Sequence, residues 1–127
     1  MTTRNVCIAL ALISAAACGG GSSSTTTSPP GNTTPPPGGV SVTNNAFTPA
    51  TQTVTVGGSV VWAWNTCTGD PYGGNQLCVS HGVNFDDGTN SPTQGQGTYS
   101  RTFGAAGTYN YHCAVHGTAM AGSIIVQ

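Results

Sequence analysis

The sequence predicts an all-β domain, an antiparallel sandwich or Greek-key barrel of seven to eight short strands, over residues 40–127. Glycine and proline are frequent, at 19 and 8 of 127 residues, and serine, threonine and valine are common. This composition favours strands and turns over helices. Apolar residues alternate with polar ones in short runs, and turn residues separate the runs at regular intervals. No stretch predicts a helix.

Residues 1–18 are predicted to be an export signal. Arg4 precedes an apolar run, Val6 to Ala17, whose 12 residues are too few for a membrane span, which takes about 20. The run ends in Ala15-Ala16-Ala17-Cys18, which resembles a bacterial lipobox although Ala15 replaces the usual leucine. We therefore predict that Cys18 is lipidated and anchors the chain to a membrane. The alternative is an ordinary signal peptide and soluble secretion.

Residues 19–39 consist almost wholly of glycine, serine, threonine and proline. Such a segment buries no apolar area, so a disordered tether is predicted. Its length would reach about 25 Å as a coil and roughly 70 Å when stretched. Behind a membrane anchor, such a tether would let the domain swing between partners; the alternative is a plain spacer.

The strands of the domain are predicted from alternating apolar residues. Ser59–Asn65 gives the strongest pattern, but both of its faces are apolar, so the sequence leaves open which one faces the core. Its tryptophans, Trp62 and Trp64, are interpreted as packing residues rather than electron relays. The other predicted strands are Val40–Val42, Gln52–Val56, Ser80–Phe85, Tyr99–Phe103, Thr108–Cys113 and Ser123–Val126.

The composition argues against nucleic acid as a partner. Only five residues are Asp, Glu, Lys or Arg, and the net charge is −1. Binding to a polyanion needs clustered positive charge, which this chain lacks. The domain is large enough for one hydrophobic core, and we expect a monomer.

Three candidate metal ligands are concentrated near the C terminus. Cys113, His116 and Met120 have the spacing C-x2-H-x3-M. Tyr109, Tyr111 and Cys113 alternate, so on a strand they share one face, and Cys113 ends that row at the rim of the fold. A tight loop of small residues would then return His116 and Met120 to the sulfur. A thiolate, imidazoles and a weak axial thioether are the ligands of a mononuclear blue-copper centre.

That ligand set needs a second imidazole, and His81 is the candidate. In Ser80–Phe85, His81 alternates with apolar residues and is therefore predicted to point inward. A lone histidine would be assigned a structural role, but the separate Cys-His-Met loop favours a ligand. His112 directly precedes Cys113, so alternation places its side chain on the opposite face, and we interpret it as a surface residue.

The C-terminal motif resembles the copper-ligand loop of the cupredoxins, the plastocyanin and azurin family of small blue-copper proteins. Ser80–Asp86 resembles the first-histidine strand of that family, and Phe47-Thr48-Pro49 and Phe103–Tyr109 resemble its framework. The resemblance covers residues 40–127. It implies a cupredoxin-like fold that holds one copper ion, cycling between Cu(I) and Cu(II), on four ligands: His81, Cys113, His116 and Met120.

The function that the resemblance implies is one-electron transfer outside the cytoplasmic membrane, without enzymatic activity. Redox partners would dock transiently at a small apolar patch around His116. A copper-binding module for storage, delivery or sensing is the alternative, because the ligands fit it almost as well. A copper enzyme would need further histidines, and the chain has three in all. A metal-free adhesive cupredoxin is disfavoured because all four ligands are present.

Two positions depart from the family pattern. Val115 stands where much of the family has proline before the second histidine. Because valine keeps the backbone N–H that proline lacks, we predict a hydrogen bond toward the Cys113 sulfur that raises the reduction potential. Gly82 stands where an asparagine side chain often ties the two ligand segments together, and it can offer only its backbone.

Cys67 and Cys78 enclose a polar, glycine-rich loop, Thr66–Val79, that departs from the compact family members. An exported chain meets an oxidising compartment, so a Cys67–Cys78 disulfide is predicted, with two free thiols as the alternative. The other cysteines agree: Cys7 leaves with the signal, and lipid and copper take Cys18 and Cys113. The loop leads directly into His81, so we expect it to cover one side of the metal end.

Overall fold

A computed structural model of the chain describes residues 32–70 and 72–127. The predicted export signal (residues 1–18), its Cys18 and residues 19–31 of the predicted tether lie outside the described residues. In the described part, no helix is long and apolar enough to cross a membrane. The ten strands are β1 Val40–Thr43, β2 Ala46–Thr48, β3 Thr51–Val54, β4 Ser59–Trp64, β5 Cys67–Thr68, β6 Leu77–Cys78, β7 Val83–Phe85, β8 Thr98–Thr102, β9 Gly107–Cys113 and β10 Gly117–Val126.

Eight of the strands form two four-stranded sheets, in the orders β2-β1-β4-β8 and β3-β10-β9-β7. The predicted all-β sandwich is therefore confirmed. The third sheet, β5-β6, consists of two strands of two residues each and lies in the loop that the sequence left without strands. The pairs β1–β4 and β3–β10 are parallel, whereas the sequence predicted antiparallel pairing. Alternation of apolar residues could not predict this, because it shows on which face a side chain lies and not which strand is its neighbour.

The core lies between the two sheets. On β4, Val60, Trp62 and Trp64 are 0% exposed, which settles the inward face that the sequence left open. The Trp62 ring meets the rings of Phe85 and Tyr111 on the second sheet, with centroids 5.6 and 5.5 Å away. Burying a large apolar side chain stabilises a domain by about 1.5–3 kcal/mol, so these contacts fix how the sheets stack.

The described end of the predicted tether, residues 32–39, makes hydrogen bonds to the domain. The Asn32 side chain donates to the carbonyl of Cys67 at 3.0 Å and accepts from its amide at 2.8 Å. The amide of Thr33 donates to the carbonyl of Trp64 at 2.8 Å. These bonds pair backbone groups at the end of β4 and in β5. The composition did not reveal this contact because hydrogen bonds to a backbone need no apolar side chain.

Candidate metal centre

Three predicted ligands meet at one end of the sandwich. His81, Cys113 and His116 offer donor atoms that all lie within 4.8 Å of one another. The Cys113 sulfur is 3.5 Å from Nδ1 of His81 and 3.6 Å from Nδ1 of His116. His81 and Cys113 are 0% exposed, whereas His116 is the most exposed of the three. The segment of His81 and the C-terminal motif, which the sequence linked only because their side chains suit one metal ion, are thus neighbours in space.

The side chain of Cys113 lies on the inner face of β9, as the alternation of residues predicted. Tyr111 and Cys113 are buried on the inner face, and His112 lies between them on the outer face. Nδ1 of His112 is 3.8 Å from Oδ1 of Asp86. His112 therefore does not belong to the cluster of ligands. The inward Tyr111 packs into the core two residues before Cys113, which holds the sulfur at the rim.

The loop after Cys113 is short and leads directly back to the end of β9. Residues 114–116 form a turn, and Gly117, with φ of 59°, pairs with Cys113 at the start of β10. The left-handed conformation at this point favours glycine. The register then shifts between Gly117 and Ala121, and Met120 lies in that irregularity. Met120 is 2% exposed and belongs to the same buried cluster as Cys113.

His81 is held from several sides. Its amide donates to the carbonyl of Gln94 at 2.9 Å, and its own carbonyl accepts from the Gln94 amide at 3.0 Å. The same carbonyl accepts from Nε1 of Trp64 at 3.0 Å. On the ring, Nε2 is 3.3 Å from Oδ1 of Asn44. Neither Trp64 nor Asn44 was predicted to touch the site, because no spacing in the sequence links them to His81.

The electrostatics of His81 suit a ligand. Burial first, and then the charge of the neighbouring His116, lower the pKa of His81. The ring is therefore neutral at pH values where an exposed histidine would begin to be protonated. A neutral imidazole is the form that coordinates a metal, so the lowered pKa of His81 favours metal binding.

Two backbone contacts complete the site. The amide of Val115 donates to the Cys113 sulfur at 3.4 Å, the hydrogen bond predicted for a residue that replaces proline. The amide of Ala114 donates to the carbonyl of Gly82 at 3.1 Å. The backbone of Gly82 thus makes the link between the two ligand segments.

The loop between Cys67 and Cys78 reaches the same end of the molecule. The two cysteines are joined by a disulfide and lie opposite each other in the β5–β6 pair. Thr66 Oγ1 donates to the carbonyl of Gly95 at 2.8 Å, next to Gln94, which pairs with His81. The loop therefore lies beside the segment that holds the first histidine.

The donor set fits one copper ion. A buried thiol and two imidazoles, with a thioether nearby, combine a soft donor for Cu(I) with donors that serve both oxidation states. Among the described residues, Cys113 is the free cysteine, since Cys67 and Cys78 are bonded to each other. A structural zinc site would use four strong thiolate, imidazole or carboxylate ligands, and this cluster offers three.

Residues 39–127 match the copper-binding proteins of the plastocyanin/azurin family. The chain is a cupredoxin of that family. It is 38% identical to the chloroplastic plastocyanin of Tetradesmus obliquus over 89 residues, which cover 64% of this cupredoxin and 58% of that relative. It is 34% identical to the plastocyanin of Scenedesmus fuscus over 93 residues, covering 64% of this chain and 86% of the relative.

Solved structures agree with the family assignment. A reduced Cu(I) form of an amicyanin variant superposes with a TM-score of 0.56 at 26% sequence identity. The superposition covers 70% of this cupredoxin and 80% of the amicyanin chain.

Proposed function

We propose that this cupredoxin is a type 1 copper protein that carries single electrons outside the cytoplasmic membrane. The observation that carries the proposal is the meeting of a buried thiol with two imidazole nitrogens at 3.5 and 3.6 Å. His81, Cys113, His116 and Met120 would hold the ion, which supplies a one-electron couple between Cu(I) and Cu(II). Plastocyanin relatives and an amicyanin neighbour support this function.

The protein's part in electron transfer is to keep the ligands fixed. His81 is held through its amide, its carbonyl and its ring. The Cys113 sulfur accepts a hydrogen bond from Val115. Ligands that are already held need little movement when the charge of the site changes, which is the requirement of a fast carrier. The buried position of His81 and Cys113 also excludes water from the sulfur.

Partners are proposed to approach at His116, the most exposed ligand of the cluster. Its neighbour Val115 is 55% exposed, and Ala114 and Ala119 are also exposed. This small apolar surface supports transient docking, since it offers little area for a lasting complex. The export signal predicted for residues 1–18 and the predicted lipidation of Cys18 support the proposal of an anchored protein that faces the periplasm or the cell exterior.

The decisive test is the colour of the copper-loaded protein. A chain comprising residues 32–127 keeps the bonds of Asn32 and Thr33, and addition of Cu(II) should give an intense blue thiolate-to-copper absorption. Cys113→Ser should abolish it, whereas His112→Ala should keep it because that imidazole faces away. A colourless protein without bound copper would falsify the proposal.

A second measurement separates the carrier from a storage or delivery module. A carrier should show a reversible reduction potential and fast electron self-exchange between its Cu(I) and Cu(II) forms. Tight retention of Cu(I) with slow self-exchange would instead favour copper handling.

A further inference from the structure

We propose that Asn44 is the positioning residue of the first histidine and that its neutral side chain sets the balance between Cu(II) and Cu(I). This inference rests on the proposed copper site. Oδ1 of Asn44 is 3.3 Å from Nε2 of His81, while Nδ1 of the same ring is 3.5 Å from the Cys113 sulfur. The two ring nitrogens therefore face two different partners.

The contact with Asn44 selects one tautomer of His81. A neutral imidazole has one N–H donor and one nitrogen that accepts. The carboxamide oxygen only accepts hydrogen bonds, so the proton belongs on Nε2, and Nδ1 keeps its lone pair toward the sulfur of Cys113. Such outer partners fix both the tautomer and the ring orientation of metal-binding histidines.

Asn44 is held in place by its turn. Asn44 and Asn45 connect β1 to β2, and the flanking Thr43 and Ala46 are paired. Thr43 Oγ1 also donates to the carbonyl of Ala46 at 3.0 Å. Asn45 has φ of 69°, a left-handed conformation that asparagine and aspartate tolerate better than most residues. The turn thus presents the Asn44 side chain without strain at position 44.

The first sheet therefore holds His81 at two points. Val42 on β1 is paired with Trp64 on β4, and Nε1 of Trp64 donates to the His81 carbonyl. The Asn44 side chain follows two residues after Val42 and reaches the ring. The copper cysteine, by contrast, belongs to β9 of the second sheet. Asn44 and Trp64 thus lock the first histidine across the sandwich.

The charge at position 44 also matters. An amide gives a neutral hydrogen bond, whereas a carboxylate would give a stronger, charge-assisted one and would make His81 a better electron donor. A better donor favours Cu(II) over Cu(I). Asn44→Asp should raise the ratio of Cu(II) to Cu(I) affinity by about tenfold. For one electron this ratio lowers the potential by about 59 mV.

The test compares two substitutions in the same turn of the copper-loaded protein. Asn44→Asp and Asn45→Asp add the same charge one residue apart, but of these two side chains it is that of Asn44 that contacts the His81 ring. Voltammetry should show the whole predicted decrease in reduction potential for Asn44→Asp and less than a third of that decrease for Asn45→Asp. Equal shifts would show a general charge effect and overturn the proposal.

A copper-free readout keeps this inference separate from the proposed function. Long-range ¹H–¹⁵N NMR of the apoprotein should show His81 as the Nε2–H tautomer, and Asn44→Ala should give a mixture of tautomers. Asn44 is exposed, so its replacement should leave the fold intact. An unchanged tautomer in Asn44→Ala would overturn the positioning role, whether or not the protein turns blue with copper.

Discussion

The carbonyl of Gly82 accepts a hydrogen bond of 3.1 Å from the amide of Ala114. This bond ties the segment after the first histidine to the loop after the cysteine through backbone atoms alone. The two chains approach so closely that a Cβ atom at position 82 would lie 2.8 Å from Cβ of Ala114 and 3.0 Å from Oγ1 of Thr93. The site is therefore built around the absence of a side chain at this position.

Gly82→Ala should separate the two ligand segments. The added methyl meets another methyl that is fixed to the backbone, so it cannot be relieved by rotation of a flexible side chain. Overpacking of this kind costs about 1–3 kcal/mol. Denaturant unfolding of the apoprotein should show the loss of stability, and titration with Cu(II) should show weaker binding.

The double variant Gly82→Ala/Ala114→Gly is the matched control. Removing the Ala114 methyl relieves the 2.8 Å contact and leaves the one to Thr93. We expect partial recovery, with a coupling between the two sites of at least about 0.5 kcal/mol. If Gly82→Ala costs the same in both backgrounds, the contact with Ala114 does not cause the loss.

Val115→Pro should lower the reduction potential. The amide of Val115 donates to the Cys113 sulfur at 3.4 Å, and proline has no N–H to replace it. Loss of the hydrogen bond leaves more electron density on the thiolate, which favours Cu(II). A bond worth about 1 kcal/mol corresponds to a decrease of roughly 40 mV. Voltammetry would measure the shift.

Val115→Ala separates the amide from the side chain. It keeps the N–H and removes methyl groups from a side chain that is 55% exposed. The potential of this variant should stay close to that of the parent. A higher or unchanged potential in Val115→Pro would show that the 3.4 Å contact does not tune the copper.

The sequence revealed the parts of the site that follow a period or a motif. Alternation placed Tyr111 and Cys113 on the inner face of β9, and the spacing of the C-terminal motif identified His116. The contacts of His81 with Trp64 and Asn44 span 17 and 37 residues and use a carbonyl and a ring nitrogen. Polar contacts between segments that are far apart in the sequence leave no pattern in it, so only the folded chain shows them.

The same distinction applies to the fold. Short alternating runs predicted the strands and the faces on which their side chains lie. They do not show which strand lies beside which, so the parallel pairs β1–β4 and β3–β10 were not predicted. The two-residue strands β5 and β6 carry no pattern of their own. They exist where a disulfide and the bonds of Asn32 hold a polar loop against the sheet.

Asp87→Asn should flatten the acid dependence of stability. The hydrogen bond from Arg101, followed by the one from the Thr89 amide, lowers the pKa of Asp87 from 3.8 to about 2. A depressed carboxyl pKa stabilises the fold above pH 3.8, and this contribution is lost as pH falls through about 2. The Asp87 side chain is 41% exposed, so solvent screening keeps the effect below about 1 kcal/mol.

Unfolding experiments across that pH range would measure the slope in the parent, Asp87→Asn and Arg101→Gln. The arginine variant should also lose stability at every pH, because its guanidinium lies 4.1 Å from the centre of the Phe85 ring. The ion pair is therefore measured by the slope of stability against pH, and not by the overall loss of stability. Adding Asp87→Asn to Arg101→Gln should remove only the smaller share of the slope that the Thr89 amide sustains, and a second, equal loss of slope would refute the pairing.

The double variant Cys67→Ser/Cys78→Ser should weaken the fold without removing the copper site. The bond closes a loop with a sequence separation of 11, and loops of this size constrain the unfolded chain by about 3 kcal/mol. Denaturant unfolding of the apoprotein should show a loss of that size. Replacing both cysteines avoids a free thiol that would compete with Cys113 for copper.

The blue absorption of this variant should persist at temperatures where the domain stays folded. His81 follows Cys78 by three residues, but its amide, carbonyl and ring are held by Gln94, Trp64 and Asn44, none of which lies in the disulfide loop. The loop therefore contributes stability, and the sandwich positions the ligand. A folded double-serine variant that binds Cu(II) without the blue band would reverse this assignment and make the loop part of the site.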